Sequence, residues 1–103
     1  MKTFPKKRIE IMVESPLMSR VISILDDLGV SGYTVMPAIA GKGKDGSWHR
    51  DGQVGRVGSV VQILCIVDES REGDVLEPLF RLVSRQIGIV TVSDVRVVRS
   101  DHF

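Results

Sequence analysis

The order in which strand-like and helix-like apolar patterns follow one another constrains the fold of this chain more than any other feature. Arg8–Glu14 alternates apolar and polar residues, as a half-buried strand does. Leu17–Leu28 carries an apolar stripe at helical spacing. Two strand-like segments, Tyr33–Ala40 and Val57–Val67, precede a second helical stripe, and Ile89–Val98 is the last strand. This β-α-β-β-α-β order predicts an α+β, ferredoxin-like sandwich with two helices on one face of a four-stranded sheet.

Short polar and glycine signals predict where the helices begin and end. Ser15 and Pro16 are a natural N-cap and first position for the first helix, and Gly29 can end it in a left-handed conformation. Asp74 and Glu77 resemble a capping box ahead of the second helix.

The second helix is predicted to hold Pro78 in its first turn, where a missing N–H costs least, and to end at Gly88. Its predicted apolar face consists of Leu76, Leu79, Phe80, Val83 and Ile87.

Three of the strand-like segments contain residues that indicate their place in the sheet. Val57–Val67 is almost continuously apolar, as expected of a central strand with both faces covered, so neighbouring subunits are predicted to bury the open face of the sheet in a closed homo-oligomer. Pro37 cannot donate to a ladder, which places it at an edge or a bulge. The apolar phase of the last strand shifts partway along, which predicts a bulge near Asp94.

Composition and charge exclude several classes of function. The chain is predicted to be one domain, residues 1–103, and its net charge of +1 gives no field that would attract nucleic acid or membrane. No apolar run approaches the roughly 20 residues of a membrane span, and charges interrupt the N-terminal segment, so no signal peptide is predicted. The single cysteine, Cys65, is interpreted as a small buried hydrophobe. The expected location is cytoplasmic.

A glycine-rich, basic segment, Gly41–Gly58, separates the two middle strands. It holds six of the ten glycines, together with Lys42, Lys44, Arg50 and Arg56. Glycine lets backbone N–H groups approach a ligand closely, and successive amides can form an anion-binding nest. The segment is therefore interpreted as a long structureless loop that either binds phosphate, with Lys42 and Arg50 as charged partners, or is a solvated hairpin tip without a ligand.

No set of catalytic residues is evident. The two histidines, His49 and His102, lack the neighbour spacing of metal ligands or of a triad. Asp68 and Glu69 are interpreted as turn residues rather than an acid–base pair. Trp48 is the only stacking candidate, so nucleic acid is not expected as a partner. The protein is predicted to be non-enzymatic and to hold no metal.

Four segments of the chain resemble the PII signal-transduction superfamily. The most specific are Gly32-Tyr33-Thr34-Val35 and Gly41-Lys42-Gly43. Glu69-Ser70-Arg71-Glu72 and Ile87-Gly88-Ile89-Val90 are also similar. The resemblance covers nearly the whole chain and is greatest to the PII-like proteins of inorganic-carbon metabolism, which are associated with carboxysomes or with a bicarbonate transporter.

The resemblance implies a homotrimer whose sheets line its interior and whose intersubunit clefts bind adenine nucleotides. Gly41–Gly58 would be the T-loop, which changes order with ligand and contacts the regulated partner. The nucleotide-binding residues it implies are Gly32, Tyr33 and Thr34 in the cleft wall, Gly41, Lys42 and Gly43 around the phosphates, Arg50 as a further phosphate contact, Gly88 after the second helix, and Arg99 near the C-terminus.

Departures from the PII pattern narrow the expected ligand. Classical PII proteins have a glycine-lysine pair in a longer loop after the second helix, whereas here Gly88 runs directly into Ile89. This favours ADP, AMP or cyclic AMP over ATP. The T-loop has no tyrosine for uridylylation, and a paired-cysteine extension is not found in the sequence, so no disulfide switch is expected.

The leading hypothesis is a trimeric sensor that binds an adenine nucleotide together with bicarbonate and regulates inorganic-carbon uptake or fixation through the T-loop. Its expected partner is a bicarbonate transporter, to which it would be recruited at the membrane, or a carboxysome-linked protein. Two alternatives stay open. One is a structural or metal-handling trimer with an empty cleft, in which His49 or His102 would take up metal, and the other is a small hydrolase that acts on the bound nucleotide.

Overall fold

The computed structural model of the protein describes residues 1–43, 46–49 and 59–103. Its elements are β1 (Phe4–Glu14), α1 (Met18–Asp27), β2 (Thr34–Pro37), β3 (Ala40–Gly43), β4 (Gly46–His49), β5 (Val60–Val67), α2 (Glu72–Val83) and β6 (Gly88–Val97). Single 3₁₀ turns at Ser15–Leu17 and Glu69–Arg71 lead into the two helices. The predicted order is confirmed, with one addition, the β3–β4 hairpin.

β1 and β5 form the centre of a four-stranded sheet with the order β2-β5-β1-β6. All neighbouring strands are antiparallel, with Ile9 opposite Cys65 and Ile11 opposite Ile63. This is the strand order of the ferredoxin-like fold, in which each crossover helix spans one intervening strand. Pro37 ends β2, which is an edge strand, so its missing N–H removes no bond from the interior of the sheet, as predicted.

The core lies between the two helices and one face of the sheet. It consists of Ile9, Ile11, Val13, Val21, Leu25, Val30, Val61, Ile63, Cys65, Val67, Val75, Leu79 and Leu82. Residues along β5 alternate between buried and half-buried, so the chain itself covers only one face of this strand. The second apolar face, Val60, Leu64 and Ile66, remains on the open side of the sheet.

The start of α1 differs from the prediction. Ser15 does not cap the helix, because its hydroxyl lies 2.8 Å from the Ser59 hydroxyl and both side chains are buried. Pro16 falls in the 3₁₀ turn that precedes α1. The other end is as predicted, since Gly29 has a φ of +69° and directly follows the last helical turn.

The predictions for α2 were wrong in several details. The helix begins at Glu72, so Asp74 lies inside its first turn instead of at an N-cap, and no side chain caps the helix. The earlier start also places Pro78 inside the helix. The helix ends at Val83, and Gly88 begins β6 rather than terminating α2.

The buried face of α2 is rotated relative to the predicted one. Val75, Leu79 and Leu82 are buried, whereas Phe80 is 67% exposed and Ile87 is 59% exposed. Helical spacing alone is compatible with two overlapping apolar stripes on this segment. Packing against the sheet buries the stripe that contains Val75.

The predicted bulge near Asp94 is absent. The β1–β6 register runs without interruption from Phe4 opposite Val97 to Val13 opposite Gly88. The shift in apolar phase has another cause, because Asp94 occupies a helix-side position at which it forms an ion pair with Lys7 instead of packing in the core.

The segment predicted to be a structureless loop contains a β-hairpin. Ala40–Gly43 pairs with Gly46–His49 in a separate antiparallel hairpin, with Gly41 opposite Trp48. The remaining residues of this segment, 44–45 and 50–58, lie outside the described residues.

Cys65 is 2% exposed, as predicted, and burial raises the pKa of its thiol to about 11. An unfolded cysteine titrates near pH ~8.5, so the unfolded chain loses this proton first as the pH rises. The stability that the protonated thiol contributes should be complete below about pH 8.5 and lost as the pH rises to about 11. We expect the denaturation midpoint to fall more steeply over this range in the wild type than in a Cys65→Ala variant. Parallel pH profiles would contradict this.

Among the helices within the described ranges, none combines the length and the apolar character that a membrane span requires.

Candidate functional site

A cleft of about 410 Å³ lies where the β3–β4 hairpin meets the end of the sheet. We call it the hairpin cleft. One wall is Gly41, Lys42 and Gly43 of β3, and the opposite wall is Ile87–Ile89 at the start of β6. Four of the residues that the family resemblance implied, Gly41, Lys42, Gly43 and Gly88, therefore meet at one cavity.

Gly88 packs closely against residues of β1 and α2 beside the hairpin cleft. A Cβ on this residue would lie 3.0 Å from a methyl of Val13, 3.0 Å from a methyl of Val83 and 3.3 Å from the Met12 carbonyl oxygen. Its backbone can therefore sit against β1 at the floor of the cleft only because it has no side chain.

Gly41 has a similar role on the opposite wall. A Cβ on Gly41 would lie 2.7 Å from Cζ2 of Trp48, so the indole ring occupies the space that a side chain would need. The lack of a side chain at Gly41 thus accommodates Trp48 across the hairpin. The predicted role of this glycine was only a contact with the phosphates of a ligand. The tryptophan that faces it could have been found only from the strand register.

Substitution of Gly41 should displace this ring. Trp48 is the only tryptophan, so intrinsic emission reports on the hairpin alone. We expect Gly41→Ala to shift the emission to longer wavelength and to increase acrylamide quenching, while the unfolding midpoint changes little because the hairpin is separate from the main sheet. Gly43→Ala is the matched control, because its Cβ would meet nothing within 4 Å. Equal spectra for the two variants would contradict this packing.

The charges of the hairpin cleft are balanced within the described residues. Lys42 is the one cation and Glu14 the one acid among the side chains that line it. Sequence reasoning missed Glu14, which enters the cleft because β1 ends there. A phosphate-bearing ligand would need cations beyond those that the described lining supplies.

A second cleft of about 390 Å³ lies toward the other end of β5. We call it the tail cleft. It is lined by Ser31, Gly32, Tyr33, Thr34, Leu64, Cys65, Ile66, His102 and Phe103. The three residues of the predicted cleft wall, Gly32, Tyr33 and Thr34, therefore lie together, but they do not line the hairpin cleft.

The phenol of Tyr33, which lines the tail cleft, interacts with Asp26 at the end of α1. Hydrogen bonding to Asp26 is the main reason that the pKa of Tyr33 is raised, with desolvation and the Asp26 charge acting in the same direction.

The C-terminal residues form the other wall of the tail cleft. The Ser31 hydroxyl donates a hydrogen bond to the backbone carbonyl of His102, which has a φ of +73°. The Phe103 ring centroid lies 5.3 Å from Nζ of Lys6, within the range of a cation–π contact. This wall was not predicted, because the sequence gives no sign of where a short tail will pack.

The two clefts share no lining residue and lie at different ends of β5. Val60 lines the hairpin cleft, whereas Leu64–Ile66 lines the tail cleft. At about 3.3 Å per residue, the points where β5 enters the two clefts are roughly 13–20 Å apart. One chain therefore does not bring the implied set of residues around a single ligand.

Two implied residues lie in neither cleft. Arg99 follows β6 with a side chain that is 71% exposed, and its only described ion pair is a 3.7 Å contact with Asp101. Arg50 lies outside the described residues. In the part of the chain that the structure describes, no three His, Cys, Asp or Glu side chains are placed to hold a metal ion.

Comparison with known proteins identifies the class of protein to which this fold belongs. The family model for nitrogen regulatory protein P-II matches residues 6–102. The chain therefore belongs to the PII family. Proteins of this family are regulators rather than enzymes, and they form homotrimers that bind nucleotides.

Solved structures narrow the similarity to PII-like proteins. CPII of Thiomonas intermedia K12, solved with ADP, AMP and bicarbonate, is 30% identical, with a TM-score of 0.82 over 95% of this chain and 92% of that one. A protein of Thermus thermophilus, described as a PII-like signalling protein, is 30% identical, with a TM-score of 0.79 over 96% and 95% of the two chains.

A protein of the DUF3240 family from Shewanella baltica OS155 shares only the fold, with 10% identity and a TM-score of 0.67 over 100% of this chain and 99% of that one. Comparison with curated protein sequences gives no match.

Proposed function

We propose that this protein is a homotrimeric sensor that binds an adenine nucleotide, with ADP, AMP or cyclic AMP favoured over ATP, together with bicarbonate in clefts between subunits. Ligand binding would change the order of the T-loop, Gly41–Gly58, and so regulate inorganic-carbon uptake or fixation through a bicarbonate transporter or a carboxysome-linked protein. The observation that carries the proposal is the division of the implied residues between two clefts. A ligand that contacts both sets must bridge two copies of the chain.

The open face of the sheet supports the trimer. Met12, Met36 and Ile89 share this face with Leu64 and are 37%, 39% and 60% exposed. Apolar side chains that a chain leaves uncovered on a sheet face are typical of a subunit interface. Turning these faces inward would bury them and would bring the edges of adjacent subunits together.

Two glycines support a ligand or a neighbouring chain at the clefts. A Cβ on Gly32 or on Gly43 would meet nothing within 4 Å in the isolated chain. Packing among the described residues therefore gives no reason for glycine at either position, whereas close approach of a ligand or another backbone does.

Charge also favours a site completed by a second copy. The described lining of the hairpin cleft offers one cation against one acid, whereas Arg99 is exposed and only weakly paired. In the proposed assembly, Arg99 of one subunit and Arg50 would add positive charge around the phosphates. Arginine suits this role, because its planar fork binds phosphate through two hydrogen bonds.

The ligands that accompany CPII support the choice of nucleotide and anion. CPII has also been solved with ADP and bicarbonate. The chain in that structure is 31% identical to this chain, with a TM-score of 0.80 over 95% of this chain and 93% of that one. The same small-molecule chemistry suits the hairpin cleft, which is lined by Lys42 and by glycines of β3 and β4.

Calorimetric titration tests this proposal. We expect ADP or AMP to bind more tightly than ATP, and bicarbonate to increase that affinity. Lys42→Ala should weaken ADP binding by about tenfold, because it removes a charge-assisted phosphate contact. Lys2→Ala removes an equally exposed cation from the N-terminus and should leave the affinity unchanged. Absence of heat with every nucleotide would refute nucleotide binding, and indifference to bicarbonate would refute the carbon-sensing role.

A further inference from the structure

A third cavity is larger than both of the clefts described above. It is an open groove of about 670 Å³ between α1 and α2, on the side of the helices that faces away from the sheet. We call it the helix groove. Its lining residues are Ser19, Arg20, Ser23, Ile24, Pro78, Arg81, Leu82, Arg85 and Gln86. The proposed trimer does not cover it, because that assembly buries the opposite face of the sheet.

Three arginines, two on the helices and one just after α2, give the helix groove a local positive charge. Arg20 lies on α1, Arg81 lies in the last turn of α2, and Arg85 follows two residues after the end of α2. No Asp or Glu is among the lining residues, although the whole chain carries a net charge of only +1. The lining of the groove is therefore markedly more positive than the chain as a whole.

The arginines are not engaged in strong ion pairs. Arg81 has only a 3.8 Å contact with Glu77, and both side chains are more than two-thirds exposed, at 70% and 74%. Within the described ranges, neither Arg20 nor Arg85 forms an ion pair. Such weakly paired guanidinium groups remain available to an external carboxylate.

Between the arginines, the floor of the groove is apolar. Ile24 and Pro78 are half-buried, and Leu82 is 7% exposed. An apolar floor with basic walls is complementary to one face of an amphipathic helix that carries acidic residues at its margins, which is a common mode of peptide recognition. The groove is open to solvent, as docking of a peptide segment requires, whereas small ligands prefer enclosed pockets.

We propose that the helix groove binds an acidic, amphipathic segment of a protein partner. The leucine-type side chains of that segment would pack on Ile24, Pro78 and Leu82, and its carboxylates would pair with the arginines. Gln86, which lines the groove, is followed along the chain by Ile87 and Gly88, which line the hairpin cleft. A partner that contacts the T-loop could therefore also occupy this groove, but the binding surface does not depend on nucleotide.

The experiment uses fluorescence anisotropy with three labelled synthetic peptides of about 16 residues, long enough for roughly four helical turns. The first places leucines at helical spacing among glutamates. The second replaces its glutamates with lysines, and the third replaces its leucines with serines. We expect only the first peptide to bind the full-length protein, and its affinity to fall when the salt concentration is raised from about 50 to about 300 mM.

Charge reversals locate the site. Arg20, on α1, and Arg85, just after the end of α2, lie on different segments of the groove, and Arg20→Glu and Arg85→Glu should each weaken binding of the acidic peptide by about tenfold. Arg20→Glu should not impair folding, because an acidic residue in the first turn of α1 is favourable. Arg96→Glu is the matched control, since Arg96 is exposed but lies outside the groove, and it should leave binding unchanged.

Several results would overturn the proposal. These are no binding of the acidic peptide at low salt, equal binding of the lysine or serine peptide, or equal losses in Arg20→Glu and Arg96→Glu. Inorganic pyrophosphate is titrated in parallel, and binding of pyrophosphate without the peptide would reject a peptide site in favour of a small-anion site. ADP affinity measured on the Arg20→Glu protein should remain at the wild-type value. A failure of the peptide site is thereby distinguished from a failure of nucleotide binding.

Discussion

The Gly88→Val variant should lose ADP binding by about a hundredfold or more, and its free energy of unfolding should fall by about 1–3 kcal/mol. A branched side chain at this position has nowhere to go, because even the first carbon would lie 3.0 Å from methyl groups of Val13 and Val83. Relief of these contacts would push the start of β6 into the hairpin cleft, where the phosphates are proposed to lie. Calorimetric titration and urea denaturation measure the two effects separately.

A smaller substitution at Gly88 and a control substitution at another glycine test the same prediction. Gly88→Ala should give a smaller loss on both measures, since its neighbours need to move by only a few tenths of an ångström. Gly73→Ala is the matched glycine control, because Gly73 lies in α2 with nothing within 4 Å of an added Cβ. It should raise stability slightly, as alanine generally does in a helix, and leave ADP binding intact. Wild-type ADP affinity in Gly88→Val would remove this residue from the site.

The second large effect concerns a pair of adjacent lysines on opposite faces of β1. Lys6 is only 7% exposed, and its ammonium group bonds to the carboxylate of Asp68 beneath the Phe103 ring. Asp68→Ala would leave this buried charge without its partner. We expect a loss of about 2 kcal/mol in the free energy of unfolding, less than for a fully buried pair because the Asp68 side chain is 44% exposed.

The neighbouring pair, Lys7 and Asp94, provides the control. The Asp94 side chain is 84% exposed, and its hydrogen bond to Lys7 is the main reason that the pKa of Lys7 is raised. Because solvent screens this pair, Asp94→Ala should change the unfolding midpoint several times less than Asp68→Ala does. Equal losses in the two variants would show that burial of Lys6 does not determine the stability of this region.

Features that depend on local periodicity were predictable from the sequence. The alternation in β1, the stripe of α1 and the glycine that ends it are all properties of short segments, and the structure confirms each of them. The element order followed from these segments, and the ferredoxin-like strand order followed from the element order.

Features that depend on contacts distant in sequence could not be predicted in this way. The Ser15 hydroxyl bonds to Ser59, and Nη2 of Arg71 donates to the Leu28 carbonyl at 2.6 Å across 43 positions. Each contact is made between segments that only the tertiary fold brings together. The predicted capping roles of Ser15 and Asp74 were wrong because such contacts, and the 3₁₀ turns before both helices, determine where the helices begin.

The candidate site was predictable only in part, for a related reason. Motif similarity identified glycines and cations without showing which of them share a cavity. The structure groups Gly41, Lys42, Gly43 and Gly88 at one cleft and Gly32, Tyr33 and Thr34 at another. Trp48 and Glu14 were missed because they enter the hairpin cleft through strand pairing and strand length, which have no signature at single positions.

Native mass spectrometry of the full-length protein with ADP tests the central claim most directly, because it reports assembly and ligand count together. If each nucleotide site is built from two copies of the chain, trimers should carry up to one ADP per subunit, and monomers released at low protein concentration should carry none. Trimers that take up no ADP, or monomers that bind ADP as well as trimers do, would contradict an intersubunit site.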